Sequence, residues 1–322
     1  MPSWNRILSE IHTASIHDII RRKYLKQLSD KTQRNAIAYY SGWMEKEFLI
    51  RQGLTGFEVN DGDKNGFMAT IHELDRSKGL DLVLHTPGGD VAATESLVGY
   101  LRLMFEGNIR VIIPHMAMSA GTMIALAANT IVMGKHSSIG PIDPQVGGLA
   151  AHAIIDEFEQ AKREITANPL TAAVWQPIIA KYSPTLIGEC AKAIDWATSI
   201  VKDWLATGMF ADQADPTERA LRVVEQLGSH NETLAHNRHI SACKARELGI
   251  PITSLEEDDD LQEAVLSVHH SYILTLTETP AYKIIENQNG VAFINAVQVM
   301  PGLAVQAPQR PASAVATEPV QP

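Results

Sequence analysis

The sequence predicts an α/β fold built on a mostly parallel sheet, and three observations predict it. Short apolar runs, "LDLVLHT" (80–86), "IRVIIPHM" (109–116) and "TIVMG" (130–134), read as buried strands. Runs of helical periodicity lie between them, giving the strand–helix–strand order of right-handed βαβ units. The chain has 322 residues, 45% of them hydrophobic, which is enough for a sizeable core.

Taken in order, residues 4–31 form one or two amphipathic helices, with Trp4, Leu8 and Ile11 and then Ile16, Ile19 and Ile20 on apolar stripes. "NAIAYYSGW" is a strand, and "GDKNGFMATIHELDRSKG" a helix ended by Gly79. After "LDLVLHT" comes the turn "PGGD". The next helix, "ATESLVGYLRLMF", keeps Leu97, Val98, Leu101, Met104 and Phe105 on one face. Strand "IRVIIPHM", a helix after Ser119 and strand "TIVMG" complete the unit. Beyond about residue 150 long helical stretches dominate, with Trp175, Trp196 and Trp204 among them. "ARELGIPI" gives a helix ending at Gly249 and a short strand, and the acidic run 256–260 opens another helix. The reading divides the chain into an N-terminal helical segment (1–33), a main domain (34–255), a helical extension (256–302) and a Pro-, Ala- and Gln-rich tail (303–322) expected to be disordered.

The formal net charge of −10 argues against a nucleic-acid or anionic-membrane surface. Cys190 and Cys243 fit no C-x-x-C or metal pattern, which favours a reducing compartment without a disulfide framework. No signal-peptide core and no apolar run of about 18 residues is seen, so the expectation is a soluble, cytoplasmic chain without a membrane span.

Ser119 carries the chemical question. It stands in Ala117-Met118-Ser119-Ala120-Gly121, between a buried strand and a helix, a variant of G-x-S-x-G with Ala for the first Gly. A sharp strand-to-helix turn exposes a nucleophile, and small neighbours admit a substrate backbone. A serine there can also simply cap the helix. A second feature adds weight to the first reading. Gly88 and Gly89 follow a buried strand directly and can bend the backbone to point N–H groups into a cleft, as acyl transfer requires for its oxyanion. If the two strands are neighbours, both loops open on one site at the carboxyl end of the sheet. Asp90 as a helix cap is compatible with either reading.

The blocks "HTPGGDVAATESLVGYLR" and "MSAGTMIALAANTIVMGKHSSIGPIDPQ" resemble the serine dehydrogenase proteinase family of the Clp-protease/crotonase superfamily, related to signal peptide peptidase A. The resemblance spans roughly residues 35–250. It implies a Clp/crotonase-like spiral of βαβ units with a helical C-terminal half, serine peptidase activity on a peptide or protein substrate, and a homo-oligomer. Ser119 would be the nucleophile, and the Gly89 and Ala120 amides would form the oxyanion hole, with Gly88 shaping the loop. The Clp subunit carries a histidine on the strand after the nucleophile helix; "SSIGPIDP" here has Asp143 at about that position and no histidine. Signal peptide peptidases use a lysine from a later helix, and "AHAIIDEFEQAKREI" offers Lys162.

Ile155, Phe158, Lys162 and Ile165 are spaced 3, 4 and 3 residues apart, which puts Lys162 on the apolar stripe of its helix. Burial there would favour a neutral amine able to take the serine proton; the alternative is a lysine that snorkels to the helix edge. Lys135, His85, His115 and His136 flank the motifs, and His115 is the next candidate base. His230, His236 and His239 fit no standard zinc spacing. Asp61, Asp63, Asn65 and Gly66 imitate the start of a calcium loop, but the twelfth position is His72 rather than Glu. No P-loop or metal-ligand cluster appears, so neither cofactor nor metal is expected. Two other functions share the pattern: a crotonase-type acyl-CoA enzyme, which uses the oxyanion loops without a nucleophilic serine, and a non-catalytic scaffold.

Overall fold

The computed structural model describes residues 17–228 and 237–297. The expected first helix turns at 4–16, the tail 303–322, His230 and His236 lie outside them. In chain order the elements are α1 (His17–Thr32), β1 (Asn35–Ser41), α2 (Glu47–Arg51), α3 (Asp61–Ile71), β2 (Leu80–His85), α4 (Val91–Met104), β3 (Ile109–Ile113), β4 (Met116–Ala117) and α5 (Ala120–Leu126). Then follow β5 (Thr130–Met133), β6 (Ser138–Ile139), β7 (Gln145–Val146), β8 (Leu149–Ala150), α6 (Ala151–Ala167), α7 (Ala172–Ile179), α8 (Leu186–Thr207) and α9 (Pro216–Gly228). The last are β9 (Ile240–Ser241), α10 (Ala242–Glu247), β10 (Ile252–Ser254), α11 (Asp259–Glu278), β11 (Ala281–Asn287) and β12 (Ala292–Ala296).

Seven strands form the main sheet in the order β10-β5-β3-β2-β1-β11-β12. The first five run parallel, and β11 and β12 add an antiparallel edge. Alternation along each strand sends side chains to opposite faces. Ile37, Tyr39, Leu82 and Leu84 pack with α3, α4, α5, α8 and α9 on one face. Ala36, Ala38, Tyr40 and Val83 pack under α1 and α11 on the other. Helices on both faces are what makes these strands apolar throughout rather than alternating.

Two departures from the sequence reading have physical causes. The helix expected to reach Gly79 stops at Ile71, where His72 turns extended (ψ 133°). Glu73 at φ 65° then returns Leu74 to the core. The stretch 256–302, expected as a helical extension, holds α11 but also β11 and β12, which join the main sheet through β1. The sheet therefore continues past residue 255, and the C-terminal half supplies strands as well as helices. A buried ion cluster helps fix this edge: Glu286 of β11 accepts from Arg21 at 2.5 Å, Arg22 at 2.8 Å and the Tyr272 hydroxyl at 2.9 Å. Helix α6 packs apart from both faces of the main sheet. Its Ala151 and Ile154 pack with Cys190 of α8 in a small separate cluster, flanked by Ile155 and Phe158.

Candidate active site

Strands β2 and β3 are parallel neighbours, so the segments leaving their carboxyl ends emerge side by side. After β2 comes Thr86-Pro87-Gly88-Gly89; after β3, and the short β4, comes Ser119. A parallel bridge joins Thr86 to Ala117: Thr86 N–H donates to the Met116 carbonyl and Met118 N–H to the Thr86 carbonyl, each at 3.1 Å.

Ser119 has φ 49° and ψ −114°, a conformation L-residues rarely adopt, at the position just before α5. Its side chain makes no capping hydrogen bond, so the simple cap reading does not hold. All seven residues of α5 are buried, whereas Ser119 is partly exposed at the head of a helix the core immobilises. Such a strained turn persists only because its surroundings fix it. Those surroundings include the 138–144 loop. The Thr122 hydroxyl donates to the Ala117 carbonyl at 2.8 Å and accepts the Gly140 N–H at 2.9 Å, which seats Gly140 against Met118 and the Ser119 nitrogen.

Gly88 and Gly89 are glycines for two different reasons. At Gly88 φ is 101°, and a Cβ would stand 2.6 Å from the Ser119 Cβ and 2.7 Å from the Met118 carbonyl oxygen. At Gly89 a Cβ would meet the Val59 backbone at 2.3 Å, because Val59 pairs with this loop. Val59 N–H donates to the Gly88 carbonyl at 2.7 Å, and Asp90 N–H to the Val59 carbonyl at 2.9 Å. The N–H groups of Gly89 and Ala120 have no acceptor among the described residues; for Ala120, the first residue of α5, this is the ordinary state of a helix start. Asp90 caps α4 by accepting from Ala93 N–H at 2.7 Å. Val59, Thr122 and Gly140 were not identified from the sequence. They carry no motif and reach the site only through pairing and packing.

Lys162 departs from the expectation. Its side chain is 71% exposed, and Nζ donates to Glu159 Oε1 at 2.6 Å. The buried stripe of α6 runs through Ala151, Ile154 and Ala161 instead, one residue before Lys162, so the spacing argument picked the edge of the stripe for its centre. Lys135 is exposed, its backbone N–H held by Glu256 at 2.7 Å. Asp143 is buried. His136 is exposed, and so is His239.

The flanking histidines belong to a different feature. His85, His115 and His269 of α11 lie with ring centroids 5.4, 5.5 and 5.7 Å apart. Tyr40 and Trp43 pack on the His85 ring, and His270 adjoins His269. Burial, with the neighbouring His115, pushes His85 down to about 3, the Met116 backbone only partly opposing this. Burial likewise lowers His115 and, with its histidine neighbours, holds His269 well below the usual range. The fully buried His85 and His269 stay neutral in the fold while the unfolded chain protonates near 6.5. Stability is therefore complete above that pH and falls as the pH drops below it, by about 1.4 kcal/mol per unit for each such histidine. Urea unfolding between pH 7 and 5 should show this loss, and His85→Leu should flatten it; an unchanged slope would contradict the burial account. Among the described residues no three His, Cys, Asp or Glu side chains converge to hold a metal ion.

The arrangement has a counterpart among known families. The model of the ClpP-like SDH-type serine proteinases matches residues 7–258. The chain belongs to that family. Ser119, its elbow and the Gly88-Gly89 loop lie inside the matched span. Two uncharacterised proteins of Methanocaldococcus jannaschii are similar to it. MJ0137 is 34% identical over 143 residues, 44% of this chain and 49% of the relative. MJ1495 is 31% identical over 175 residues, 54% of this chain and 52% of the relative. The chain thus spans about half the length of the curated relatives it matches. Among solved structures, a mutant of a membrane-bound stomatin-specific protease aligns with 64% of this chain and 79% of its own, at 18% identity and a TM-score of 0.38. Among the described residues no helix is long and apolar enough to cross a membrane.

Proposed function

We propose that the chain hydrolyses peptide bonds through an acyl-enzyme on Ser119. The observation that carries this reading is the uncapped, positive-φ Ser119 packed against the Gly88 loop. The Ser119 hydroxyl attacks the scissile carbonyl, and the Gly89 and Ala120 N–H groups stabilise the oxyanion. Transfer of the serine proton to a base, and from the base to the leaving amine, completes acylation; water then hydrolyses the ester.

Lys162 is the base in this proposal, acting as an amine once it leaves Glu159. Its helix is anchored in the small cluster around Cys190 rather than in the main core, so fewer apolar contacts oppose that movement. Lys162→Met should lower kcat at least about 10²-fold, the usual range for general-base loss, and leave thermal stability unchanged because the side chain is exposed. Initial rates on an ester substrate, with a thermal melt of each protein, read both. An active Lys162→Met enzyme would contradict the assignment and leave His115 and Lys135 to be tested. A crotonase-type acyl-CoA activity is the weaker reading, because it gives the strain at Ser119 no purpose.

A further inference from the structure

Asp63 and Lys283 form a buried ion pair outside the serine and glycine loops of the site. Both side chains are 1% exposed, and Lys283 Nζ lies 2.8 Å from Asp63 Oδ1 and 3.1 Å from Oδ2. A buried pair of this kind is poor evidence for stability, since desolvation offsets most of the attraction. Its other hydrogen bonds suggest a different use. Lys283 Nζ also donates to the Glu58 carbonyl at 2.7 Å. Asp63 Oδ2 also accepts the Asn60 N–H at 3.0 Å and the Tyr39 hydroxyl at 2.8 Å. The pair therefore grips the backbone immediately before and immediately after Val59.

Val59 in turn holds the glycine loop. Its N–H binds the Gly88 carbonyl and its carbonyl binds the Asp90 N–H. A trans peptide is planar, with C=O and N–H on opposite sides. Fixing the Gly88 carbonyl toward Val59 therefore turns the Gly89 N–H to the opposite side. The direction of the one N–H donor that the loop offers is set by the chain Lys283–Asp63–Val59–Gly88.

We propose that Asp63 and Lys283 are positioning residues for the oxyanion loop, acting through the backbone of Val59 rather than on substrate. The part of the claim concerning catalysis rests on the serine-peptidase reading above; the part concerning the loop does not. Because Asp63→Asn alone strands a buried ammonium, the informative variants are Tyr39→Phe, which removes one donor and keeps the ring, and the double change Asp63→Leu with Lys283→Met.

Two readouts apply to each folded variant. One is kcat and KM on a peptide ester; the other is hydrogen exchange at the Asp90 amide, with the α5 amides as an internal reference. The double variant should lose about 10²-fold in kcat, the scale of one misdirected oxyanion donor, with KM little changed. Its Asp90 amide should exchange at least ten times faster, by order of magnitude, while α5 is unaffected; Tyr39→Phe should move both in the same direction and by less. A kcat within about threefold of the parent, or an Asp90 amide protected as before, overturns the proposal. A uniform rise in exchange over the loop and α5 also overturns it, since that reports lost stability and not lost positioning. If the parent shows no serine reactivity at all, the peptidase reading fails and the Asp90 exchange alone decides whether the pair holds the loop.

Discussion

Ser119→Gly is expected to abolish peptide hydrolysis and at the same time to stabilise the protein by about 1 kcal/mol. The two effects come from one backbone angle. At φ 49° and ψ −114° any side chain is strained, and a glycine is not. The strain is the cost of presenting a hydroxyl at the top of a tight turn. Ser119→Ala separates the contributions: it keeps the Cβ and hence the strain, so it should be inactive with the parent's stability. Urea midpoints and initial rates for the three proteins test this. A glycine variant less stable than the parent would show that Ser119 is held by a favourable contact instead, and an active alanine variant would remove it from the chemistry.

Gly88→Ala should damage both activity and stability. The new Cβ would fall 2.6 Å from the Ser119 Cβ, 2.7 Å from the Met118 oxygen and 3.0 Å from the Ala120 nitrogen, at a φ of 101°. Two of these atoms are backbone, so the glycine loop and the serine elbow must move apart. We expect kcat/KM to fall at least about 10³-fold, with roughly 2–4 kcal/mol lost in stability from overpacking and strain together. Gly148→Ala is the control. It also has positive φ, 82°, but lies in open space, so it should cost only about 1 kcal/mol and no activity. Equal effects at the two positions would mean that φ alone matters and that the two loops are not in contact.

How much of this was legible in the sequence follows from what each feature depends on. The strands 80–86, 109–116 and 130–134 and the helix after Ser119 are read from local apolar runs, and the parallel order of β2, β3 and β5 follows from their alternation with helices. The elbow and the glycine loop were visible because small residues at a fixed spacing have few other uses. The β11–β12 hairpin was missed although Asn289-Gly290 marks its turn, Gly290 having φ 83°; the strand residues on either side were absorbed into an expectation of helix. Lys162 shows the limit of periodicity. A stripe is known to within one residue, and one residue separates buried Ala161 from exposed Lys162. Asp63 was noticed for a calcium-loop pattern it does not serve. Its partner Lys283 lies 220 residues away, and no local signal can join two charges that meet only after the sheet has formed.

The central claim is that Ser119 is a nucleophile activated by its turn, and covalent labelling tests it most directly. A peptidyl phosphonate incubated with the protein, followed by proteolytic mapping, should place one adduct on Ser119. Prior exposure to a peptide substrate should slow the reaction, and Ser119→Ala should not react. An adduct on another serine, or none under conditions where the folded state is confirmed, would contradict the account.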